Sequence, residues 1–442
     1  MRMRILHITQ YCHVGSTGGT EQYIRDLIAG LGGHGIESTI GWLRGGEIGP
    51  LITTSDGIRI HPLPCPPMRV DAPTIALVAA GRKRIEEEAP DCLHFHTFGL
   101  AEAALATLAH AAGIPCIFTY HSPAWSCRRE TMLLFGEKPC DGEVMAWRCS
   151  ACQSAQRLGE SQVAGYLTTA ASLSAGWLTL PLGRNSLRRR TAFFYDTLRY
   201  RRAFRRFLRK CERVVACCDW AIPVLCQNGA RRENLIHCPQ GVSDAVVAAI
   251  SASKAESTAD SRDHFVIGYV GRVVAEKGVH ILAEAFTRLT AKEARLRIVG
   301  WASDCADEPY HRRLKEMAER DARIELVPKM PFEKTIQEYR GFHLLAIPSV
   351  WLETGPLTLL EALASGVAVY GSERIGQMEV LRKHGTVVAP NTPEEWCRVL
   401  EEAYPQWQRG AGCRTGAPVN VRTMNDVAGE MAGIYKEMGR GK

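Results

Sequence analysis

Short apolar runs recur along the first part of the chain, and helix-like stretches separate several of them. Strands that alternate with helices predict a parallel sheet, because parallel neighbours need a long crossover connection between them. These runs are Ile5–Thr9, Ser38–Trp42, Ile58–Pro62, Cys92–His96, Cys116–Tyr120, Arg213–Cys218 and Leu235–Cys238. We therefore predict an α/β domain over residues 1–245.

The same alternation starts again after residue 263. Its apolar runs are Phe265–Val270, Leu296–Val299, Ile324–Val327, Leu344–Pro348 and Val367–Tyr370. Residues 246–263 are rich in Ala, Ser and Asp and have weak periodicity, so we predict a linker or a poorly packed helix there. The predicted fold class is α/β, with two Rossmann-like domains facing across a cleft, since ligands bind beyond the carboxyl ends of parallel strands. The second domain spans 264–424. A last helix is predicted in 425–442, and it could pack back on the N-terminal domain.

The strongest local motif is W-L-E-T-G-P-L-T-L-L-E-A-L-A-S-G, residues 351–366. Glu353 follows an apolar strand, and Gly355-Pro356 leads into a helix that carries Glu361. The amino terminus of a helix offers unpaired N–H groups to a phosphate, and an ionised carboxylate accepts hydrogen bonds from sugar hydroxyls. The alternative is a helix whose acidic first turn is favoured by the helix dipole alone. Two glutamates around a Gly-Pro step favour the ligand site.

A second motif, G-R-V-V-A-E-K-G over 271–278, follows the first strand of the second half. Arg272 and Lys277 flank a strand-to-helix turn, where a diphosphate would rest. The planar fork of Arg and the mobile charge of Lys suit neutralisation of a leaving group. The alternative is that both residues are solvated surface charges without a ligand. A phosphate site is favoured because the pair directly follows the first strand of the second half.

Together, the two motifs resemble those of the retaining family-four glycosyltransferases, which have the two-domain GT-B architecture. The resemblance extends over most of the chain and includes Gly18-Gly19-Thr20-Glu21 after the first strand and His121 after Ile117–Tyr120. The donor-binding residues that it implies are Gly18, Gly19, Arg272, Lys277, Glu353, Thr354, Gly355, Pro356, Leu357, Thr358 and Glu361. The catalytic residues that it implies are His121, Arg272, Lys277 and Glu353.

The resemblance also implies a role for each of these residues. Arg272 and Lys277 would hold the donor diphosphate, and the N–H groups of residues 355–358 would bind sugar or phosphate. Glu353 would bind the sugar hydroxyls, Glu361 the ribose, and His121 would lie at the donor sugar. The reaction implied is transfer of a sugar from a nucleotide diphosphate to a glycan or lipid-linked glycan, as in polysaccharide biosynthesis.

The implied chemistry requires no cofactor, because the basic pair stabilises the leaving group and no D-x-D metal motif stands in a plausible donor loop. Retention ordinarily involves a nucleophilic carboxylate. The family pattern supplies none, so we favour front-face attack in which the departing diphosphate deprotonates the acceptor. The sequence departs from the family at Pro328-Lys329, where family members often have Gly near the base, so the nucleotide base stays open.

Four cysteines lie close together in a segment, about 123–160, that looks like an insertion. They are Cys127, Cys140, Cys149 and Cys152, and the last two form a C-x2-C pair. Four thiolates complete a structural tetrahedral zinc site, and an iron–sulfur cluster uses the same ligands. The alternative is four unlinked thiols in a loop.

The excess positive charge of the chain is concentrated in one segment. The net charge of the chain is +7, yet Arg184 to Arg213 carry twelve Lys and Arg against two Asp and Glu, so the remainder is close to neutral. In a helix predicted over about 186–213, one stripe is basic and the next is mainly aromatic. The basic stripe is Arg199, Arg202, Arg206, Arg209 and Arg213, and the second is Phe193, Tyr200, Phe204, Phe207 and Cys211.

An amphipathic, Arg-rich helix favours peripheral contact with an anionic membrane or a phosphorylated lipid acceptor. In the alternative, the aromatic residues pack on the first domain and the arginines are merely solvated. Nucleic acid is not expected as a partner, because the rest of the chain is near neutral. Two rival functions stay open: a nucleotide-sugar 2-epimerase-like isomerase of the same fold, and a zinc-stabilised nucleic-acid-binding protein.

The amino-acid composition excludes several classes of protein. A hydrophobic fraction of 46% and a charged fraction of 23% exclude a disordered or collagenous chain. The start of the sequence has no apolar run typical of a signal peptide, and residues 163–182 are too rich in small polar residues for a membrane span. We therefore predict a cytoplasmic protein, in part peripheral at a membrane. In the run ending at His96, we expect His94 to be buried and His96 to face the acceptor.

Overall fold

A computed structural model of the chain describes ten stretches of it, and the elements of the fold lie within these stretches. They are residues 2–12, 18–44, 51–54, 57–66, 71, 73–179, 193–253, 264–302, 308–409 and 418–439. The chain divides into two compact units. The N-terminal unit comprises Met1–Pro239 and Val427–Lys442, and the C-terminal unit comprises Gln240–Asp426. The predicted fold class, α/β with two Rossmann-like halves, is confirmed.

The sheet of the N-terminal unit has the strand order β10-β9-β6-β5-β1-β2-β4-β3, and all neighbours are parallel except β3 and β4. Its strands are β1 Met3–Thr9, β2 Ile36–Arg44, β3 Ile52–Thr53, β4 Arg59–Pro64, β5 Cys92–Phe95, β6 Cys116–Tyr120, β9 Arg213–Ala216 and β10 Leu235–His237. The central strands are buried throughout, which explains why they read as continuous apolar runs. The strand order reverses between β1 and β5, where a ligand of such a sheet is expected to bind.

Seven helices lie in the described part of this unit before residue 239. They are α1 Gly19–Gly33, α2 Ile75–Glu88, α3 Leu100–Ala111, α4 Ala146–Gln156, α5 Gln162–Thr179, α6 Phe193–Lys210 and α7 Ala221–Gln227. The cysteine-containing segment adds a short hairpin, β7 Leu133–Leu134 and β8 Lys138–Pro139. None of the helices in the described stretches combines the length and the apolar character needed to cross a bilayer.

The aromatic stripe of the basic helix belongs to the core of the N-terminal unit. Tyr200, Phe204 and Phe207 on α6 are at most 1% exposed. The ring of Phe98 lies 4.6 Å from that of Phe204, and Phe118 lies 5.2 Å from Phe207. The aromatic residues therefore pack on the first domain, as the more conservative interpretation held. The part of the predicted helix over 186–192 lies outside the described residues.

The C-terminal unit contains a parallel sheet of order β13-β12-β11-β14-β15-β16. Its strands are β11 Phe265–Val270, β12 Ala294–Trp301, β13 Ile324–Pro328, β14 Leu344–Ile347, β15 Ala368–Ser372 and β16 Thr386–Val388. Its helices are α8 Asp244–Ser253, α9 Val279–Thr287, α10 Pro309–Arg320, α11 Phe332–Glu338, α12 Leu357–Ala364, α13 Met378–His384 and α14 Pro393–Gln408. The order reverses between β11 and β14, and both candidate donor motifs follow these two strands.

The predicted boundary segment differs from the structure in one respect, because its first part is a well-packed helix. Helix α8 occupies the start of the segment expected to be a linker or a poorly packed helix, and its Val246 and Ile250 are buried in the core of the C-terminal unit. These apolar residues stand four positions apart in an Ala- and Ser-rich context, which makes the helix hard to see in the sequence. Residues 254–263 lie outside the described part. The last helix, α15 Met424–Gly439, belongs to the N-terminal unit from Val427 onward.

Candidate functional site

The loop after β11 lies directly against the loop after β14. Gly278 ends a short 3₁₀ turn, Ala275–Lys277, with a φ of +69°, which favours glycine. A Cβ atom at Gly278 would lie 1.9 Å from the carbonyl oxygen of Pro348, so only glycine permits this approach. The backbone N–H of Val350 donates to the carbonyl of Glu276 at 2.9 Å. Glycine at 278 thus brings the two predicted donor motifs together.

Lys277 and Glu353, one from each motif, form an ion pair. Lys277 Nζ lies 2.7 Å from Glu353 Oε2, and their side chains are 20% and 6% exposed. The hydroxyl of Ser349 donates to Glu353 Oε1, and Lys277 Nζ lies 5.6 Å from the centre of the Trp351 ring. Both carboxylate oxygens are therefore held by donors, which fixes the direction of the Glu353 side chain in a site of low exposure.

Ser349 itself is held by the ends of neighbouring strands. Its carbonyl accepts hydrogen bonds from the hydroxyl of Ser372 at 2.7 Å and from Asn391 Nδ2 at 3.0 Å. Asn391 Oδ1 in turn accepts from the indole N–H of Trp396 at 2.7 Å. The sequence analysis did not find Ser349 or Asn391. The one available signal was the position of Ser349, two residues beyond the end of β14.

Residues 354–358 form the entry to helix α12. Pro356 is the N-cap residue, and the helix begins with Leu357 and Thr358. A Cβ atom at Gly376, in the loop after β15, would lie 2.2 Å from the carbonyl oxygen of Thr354, so this loop closely supports the helix entry. The helix start therefore lies beside Glu353, at the carboxyl ends of the strands, and the role of residues 354–358 in donor binding stays a prediction.

Glu361 lies inside α12 and is 7% exposed. The phenol of Tyr339 donates to Glu361 Oε2 at 2.6 Å. Burial raises the pKa of Glu361 above its ordinary value, and burial also raises the pKa of Tyr339 well above its own. Tyr339 was not found in the sequence, because a buried tyrosine in a helical stretch resembles any core aromatic.

Arg272 stands apart from these contacts. Its side chain is exposed, while its carbonyl oxygen accepts a hydrogen bond from the phenol of Tyr269 at 2.7 Å. Tyr269 is 3% exposed, and burial together with the charge of Glu353 raises its pKa well above the ordinary value. The loop that carries Arg272 is thus anchored by a side chain close to Glu353, which leaves the guanidinium in solvent.

The N-terminal unit contains a chain of hydrogen-bonded histidines at its own reversal of strand order. His7 Nδ1 lies 2.9 Å from His96 Nε2, and His96 Nδ1 lies 3.0 Å from His121 Nε2. His96 is 0% exposed. It was expected to face the acceptor and is instead buried between two other imidazoles. His121 is 5% exposed and packs on the ring of Tyr23, with centroids 4.5 Å apart.

His94 is buried and hydrogen-bonded, as predicted. Its Nδ1 lies 2.6 Å from the hydroxyl of Tyr435 on the last helix, and its Nε2 lies 2.7 Å from Thr119 Oγ1. Burial lowers the pKa of His7 and His121 to about 3 and lowers the pKa of His94 and His96 well below the ordinary value. All four rings are therefore neutral at pH 7.

Ring nitrogens of His7, His94 and His96 lie within 4.8 Å of one another, so they are close enough to share a metal ion. Both nitrogens of each ring already lie at hydrogen-bond distance from another side chain, including Ser38 at 3.3 Å from His7 Nε2. A metal would have to displace these bonds, so the arrangement is better explained as a hydrogen-bonded core.

The glycine-rich loop after β1 is described only from Gly18 onward. The N–H of Gly18 donates to Glu21 Oε2 at 3.0 Å, and a Cβ atom there would lie 2.8 Å from that oxygen. Gly19 is the first residue of α1, and a Cβ atom there would meet no heavy atom within 4 Å. The roles of Gly18 and Gly19 at a donor sugar stay predictions.

The cysteine-containing segment brings its four thiols to one place. Cys127, Cys140, Cys149 and Cys152 all line a cavity of about 10 Å³. Cys149 and Cys152 lie in helix α4, while Cys127 and Cys140 lie in the loops before it. The sequence spacing alone left this convergence open.

Two family models match the chain. Glycosyltransferase Family 4 matches residues 17–157, and Glycosyl transferases group 1 matches residues 252–411. Comparison with curated protein sequences gives no significant match. Solved structures with a similar fold include sucrose-phosphate synthase from Thermosynechococcus elongatus, with a TM-score of 0.65, 16% identity and 100% of each chain covered.

Two further solved structures have a similar fold. Alr3699/HepE from Anabaena, in complex with UDP, has a TM-score of 0.58 and 16% identity, covering 99% of this chain and 98% of that chain. A candidate UDP-N-acetylglucosamine 2-epimerase from Listeria monocytogenes has a TM-score of 0.52 and 12% identity, covering 100% of this chain and 98% of that chain. At these identities the likeness shows the fold alone.

Proposed function

Because this chain is a GT-B glycosyltransferase, with a Family 4 region followed by a group 1 region, we propose that it uses a nucleotide diphosphate sugar as donor. The acceptor in this proposal is a glycan or a lipid-linked glycan. The complex of Alr3699/HepE with UDP supports a donor of this class, since that protein has a similar fold.

The observation that carries the proposal is the convergence of both donor motifs at one edge of the C-terminal sheet. Lys277 follows β11 and Glu353 follows β14, and the order of strands reverses between these two neighbours. In open α/β sheets this reversal is where ligands bind, outside the carboxyl ends of the strands. The N–H groups at the start of α12 add donors for a phosphate at the same edge.

In the proposed mechanism, Arg272 and Lys277 stabilise the negative charge that develops on the departing diphosphate. Lys277 is already fixed by Glu353, so its charge needs little rearrangement when the donor binds. Preorganised charge of this kind usually contributes a large part of catalysis. Arg272 is solvated without donor and would close onto the diphosphate. These residues supply the stabilisation without a metal ion.

We propose that the anomeric configuration is retained. Both oxygens of Glu353 are engaged, by Lys277 and by Ser349, which suits a carboxylate that orients sugar hydroxyls better than one that attacks carbon. The bond from the anomeric carbon to the diphosphate would break, and the acceptor oxygen would form a bond on the same face. The acceptor proton would pass to an oxygen of the leaving diphosphate.

The role of His121 is constrained by its neutrality. With a pKa lowered to about 3 by burial, it does not act as a charged group near pH 7. A neutral imidazole both donates and accepts hydrogen bonds. In our proposal the ring orients a donor hydroxyl, and the bond between His96 Nδ1 and His121 Nε2 fixes its direction.

We further propose that helix α6 contacts an anionic lipid surface, where a lipid-linked acceptor would be found. Arg202, Arg206 and other residues of α6 line a surface groove of about 380 Å³. On the adjoining helix α5, Val163 and Leu167 are 70% and 66% exposed. Exposed apolar residues beside a basic stripe are typical of peripheral membrane binding.

Vesicle sedimentation tests this contact. Replacing Arg202, Arg206 and Arg209 by Gln should weaken binding to vesicles with anionic lipid, by about 1 kcal/mol for each charge, and leave binding to neutral vesicles unchanged. The matched control replaces the exposed Arg313, Lys315 and Arg320 of α10 by Gln and should bind as the wild type does. Wild-type protein that ignores anionic vesicles at physiological salt would remove the membrane from the proposal.

A thermal-shift screen tests the donor class. Nucleoside diphosphates and their sugars should raise the melting temperature of the wild-type protein, because a ligand that binds only the folded state stabilises it. Donor incubated without acceptor should be recovered unchanged, whereas a 2-epimerase would alter the sugar. An unchanged melting temperature across the panel would contradict the proposal.

A further inference from the structure

The four cysteine side chains that line the small cavity form what we call the thiol cluster: Cys127, Cys140, Cys149 and Cys152. Cys127, Cys149 and Cys152 are between 6% and 9% exposed, and Cys140 is half-buried. A cavity of about 10 Å³ has the size of a single small atom. Four thiols brought together from 26 residues of chain around such a space form a candidate ligand set.

Backbone N–H groups already point at two of these sulfur atoms. The N–H of Phe135 donates to Cys152 Sγ at 3.1 Å, and the N–H of Met145 donates to Cys149 Sγ at 3.3 Å. Hydrogen bonds of this kind orient the ligands of a metal ion.

The backbone is strained beside one of these N–H groups. Met132 and Phe135 have φ values of +55° and +54°, a region that bulky residues rarely occupy. Such strain persists only where the surroundings hold it, and it is frequent at binding sites. The two residues flank strand β7, and the N–H of Phe135 is the one that donates to Cys152.

Two arginines hold the backbone around the cluster. Arg129 and Arg148 both line the cavity. Arg129 Nη1 donates to the carbonyl of Cys152 at 3.1 Å and binds Glu160, while Arg148 is paired with Asp141 and donates to the carbonyl of Glu143. Each guanidinium therefore already has a carboxylate partner, and its part at the cluster is to position the surrounding chain.

The apolar cluster that joins the hairpin to helix α4 is small. It consists of Phe135, Ala151, Cys152 and Ala155, with Leu134 and Tyr166 against it. None of the four cysteines forms a disulfide in the structure.

We propose that the thiol cluster binds one zinc ion as a structural tetrathiolate site. Each thiol would lose its proton to solvent on binding, and the four sulfurs would fill the tetrahedral positions. No three of these sulfurs lie within 4.8 Å of one another, so binding would rotate the side chains inward. With no position left for water or substrate, the ion has no part in the chemistry of transfer.

A zinc ion in the thiol cluster would hold in place the chain segment that follows His121. Cys127 is six residues beyond His121, and the hydroxyls of Tyr120 and Ser126 lie 2.5 Å apart. The zinc would therefore fix the segment that directly follows His121 and the strand end that carries it. Loss of the ion should loosen this segment while the C-terminal unit keeps its stability.

Metal analysis of the wild-type protein is the first test. Protein purified anaerobically with reductant should contain about one zinc per chain. A mercurial reagent should release that zinc as four thiols react, and cobalt(II) in its place should give the visible absorption of a tetrahedral thiolate site. Neither measurement depends on a variant that folds.

Cysteine variants test whether the zinc ion is bound by the thiol cluster. Cys149→Ser and Cys152→Ser should each lose most of the zinc and should increase hydrogen exchange in residues 127–160. The matched control, Cys226→Ser in helix α7, should retain the full zinc content. Zinc-free wild-type protein, a Cys149–Cys152 disulfide, or the brown colour of an iron–sulfur cluster would each overturn the proposal.

Discussion

The histidine chain makes the N-terminal unit sensitive to mild acid. His7 and His121 have pKa values lowered to about 3, against an ordinary value of 6.5, because both are buried. In the unfolded chain these residues bind protons below pH 6.5, and in the folded chain they do not. Their contribution to stability is therefore complete above pH 6.5 and is lost as the pH falls from 6.5 toward 3.

The magnitude follows from these values. Between pH 7.5 and 5.5, a histidine with these two pKa values loses about 1 kcal/mol of stabilisation, so His7 and His121 together lose about 2–3 kcal/mol. His94 and His96 are shifted in the same direction and add to the loss. Because domains are stable by only about 5–15 kcal/mol, this is a large fraction of the total.

Hydrogen exchange followed by mass spectrometry tests this prediction, since it reports each unit separately. After correction for intrinsic exchange rates, peptides from β1, β5 and β6 should lose more protection at pH 5.5 than peptides from β11 and β14. His7→Gln should reduce the acid sensitivity by about 1 kcal/mol, because one titrating group is removed. The exposed His110→Gln should behave as the wild type does. Equal loss of protection in both units, or unchanged sensitivity in His7→Gln, would refute the reasoning.

The donor site gives three further predictions. Arg272→Ala should lower kcat/KM by about 10²–10³-fold, and Lys277→Ala by more, since it also removes the cation beside the buried Glu353. Glu361→Gln should weaken the binding of free nucleoside diphosphate measured by calorimetry, while Glu353→Gln should leave that affinity nearly unchanged and weaken discrimination among sugars. Ser349→Ala should resemble Glu353→Gln in milder form, because it frees one oxygen of that carboxylate.

Lys292→Ala serves as the matched control for these variants, since Lys292 is an exposed lysine of the same unit. Its kinetics should equal those of the wild type. Equal losses of nucleoside diphosphate affinity in the two glutamate variants would contradict the division of roles between ribose and sugar. Full activity of both basic-residue variants would remove the leaving-group assignment.

Candidate site residues were easiest to predict from the sequence where they lie in the loop directly after a strand. Buried parallel strands read as continuous apolar runs, so β11 and β14 could be predicted closely. Lys277 and Glu353 stand in the loops after them, which is where an α/β sheet binds its ligands. Both positions and their chemical types were therefore predictable from local sequence.

Contacts between distant residues were not predictable in the same way. The pairing of Lys277 with Glu353 joins residues 76 positions apart, and it depends on β11 and β14 being neighbours in the sheet. Strand order is set by packing of the whole unit, which spacing does not reveal. For the same reason, the sequence did not show that His96 lies between His7 and His121.

The most direct test of the proposed function is product analysis by proton NMR. With the best nucleotide sugar from the screen and a glycan acceptor, we expect one glycosidic product for each nucleoside diphosphate released. The anomeric coupling of the new bond should match that of the donor, and Lys277→Ala should abolish the signal. An inverted product, or a sugar altered without any acceptor, would contradict retaining glycosyl transfer by this chain.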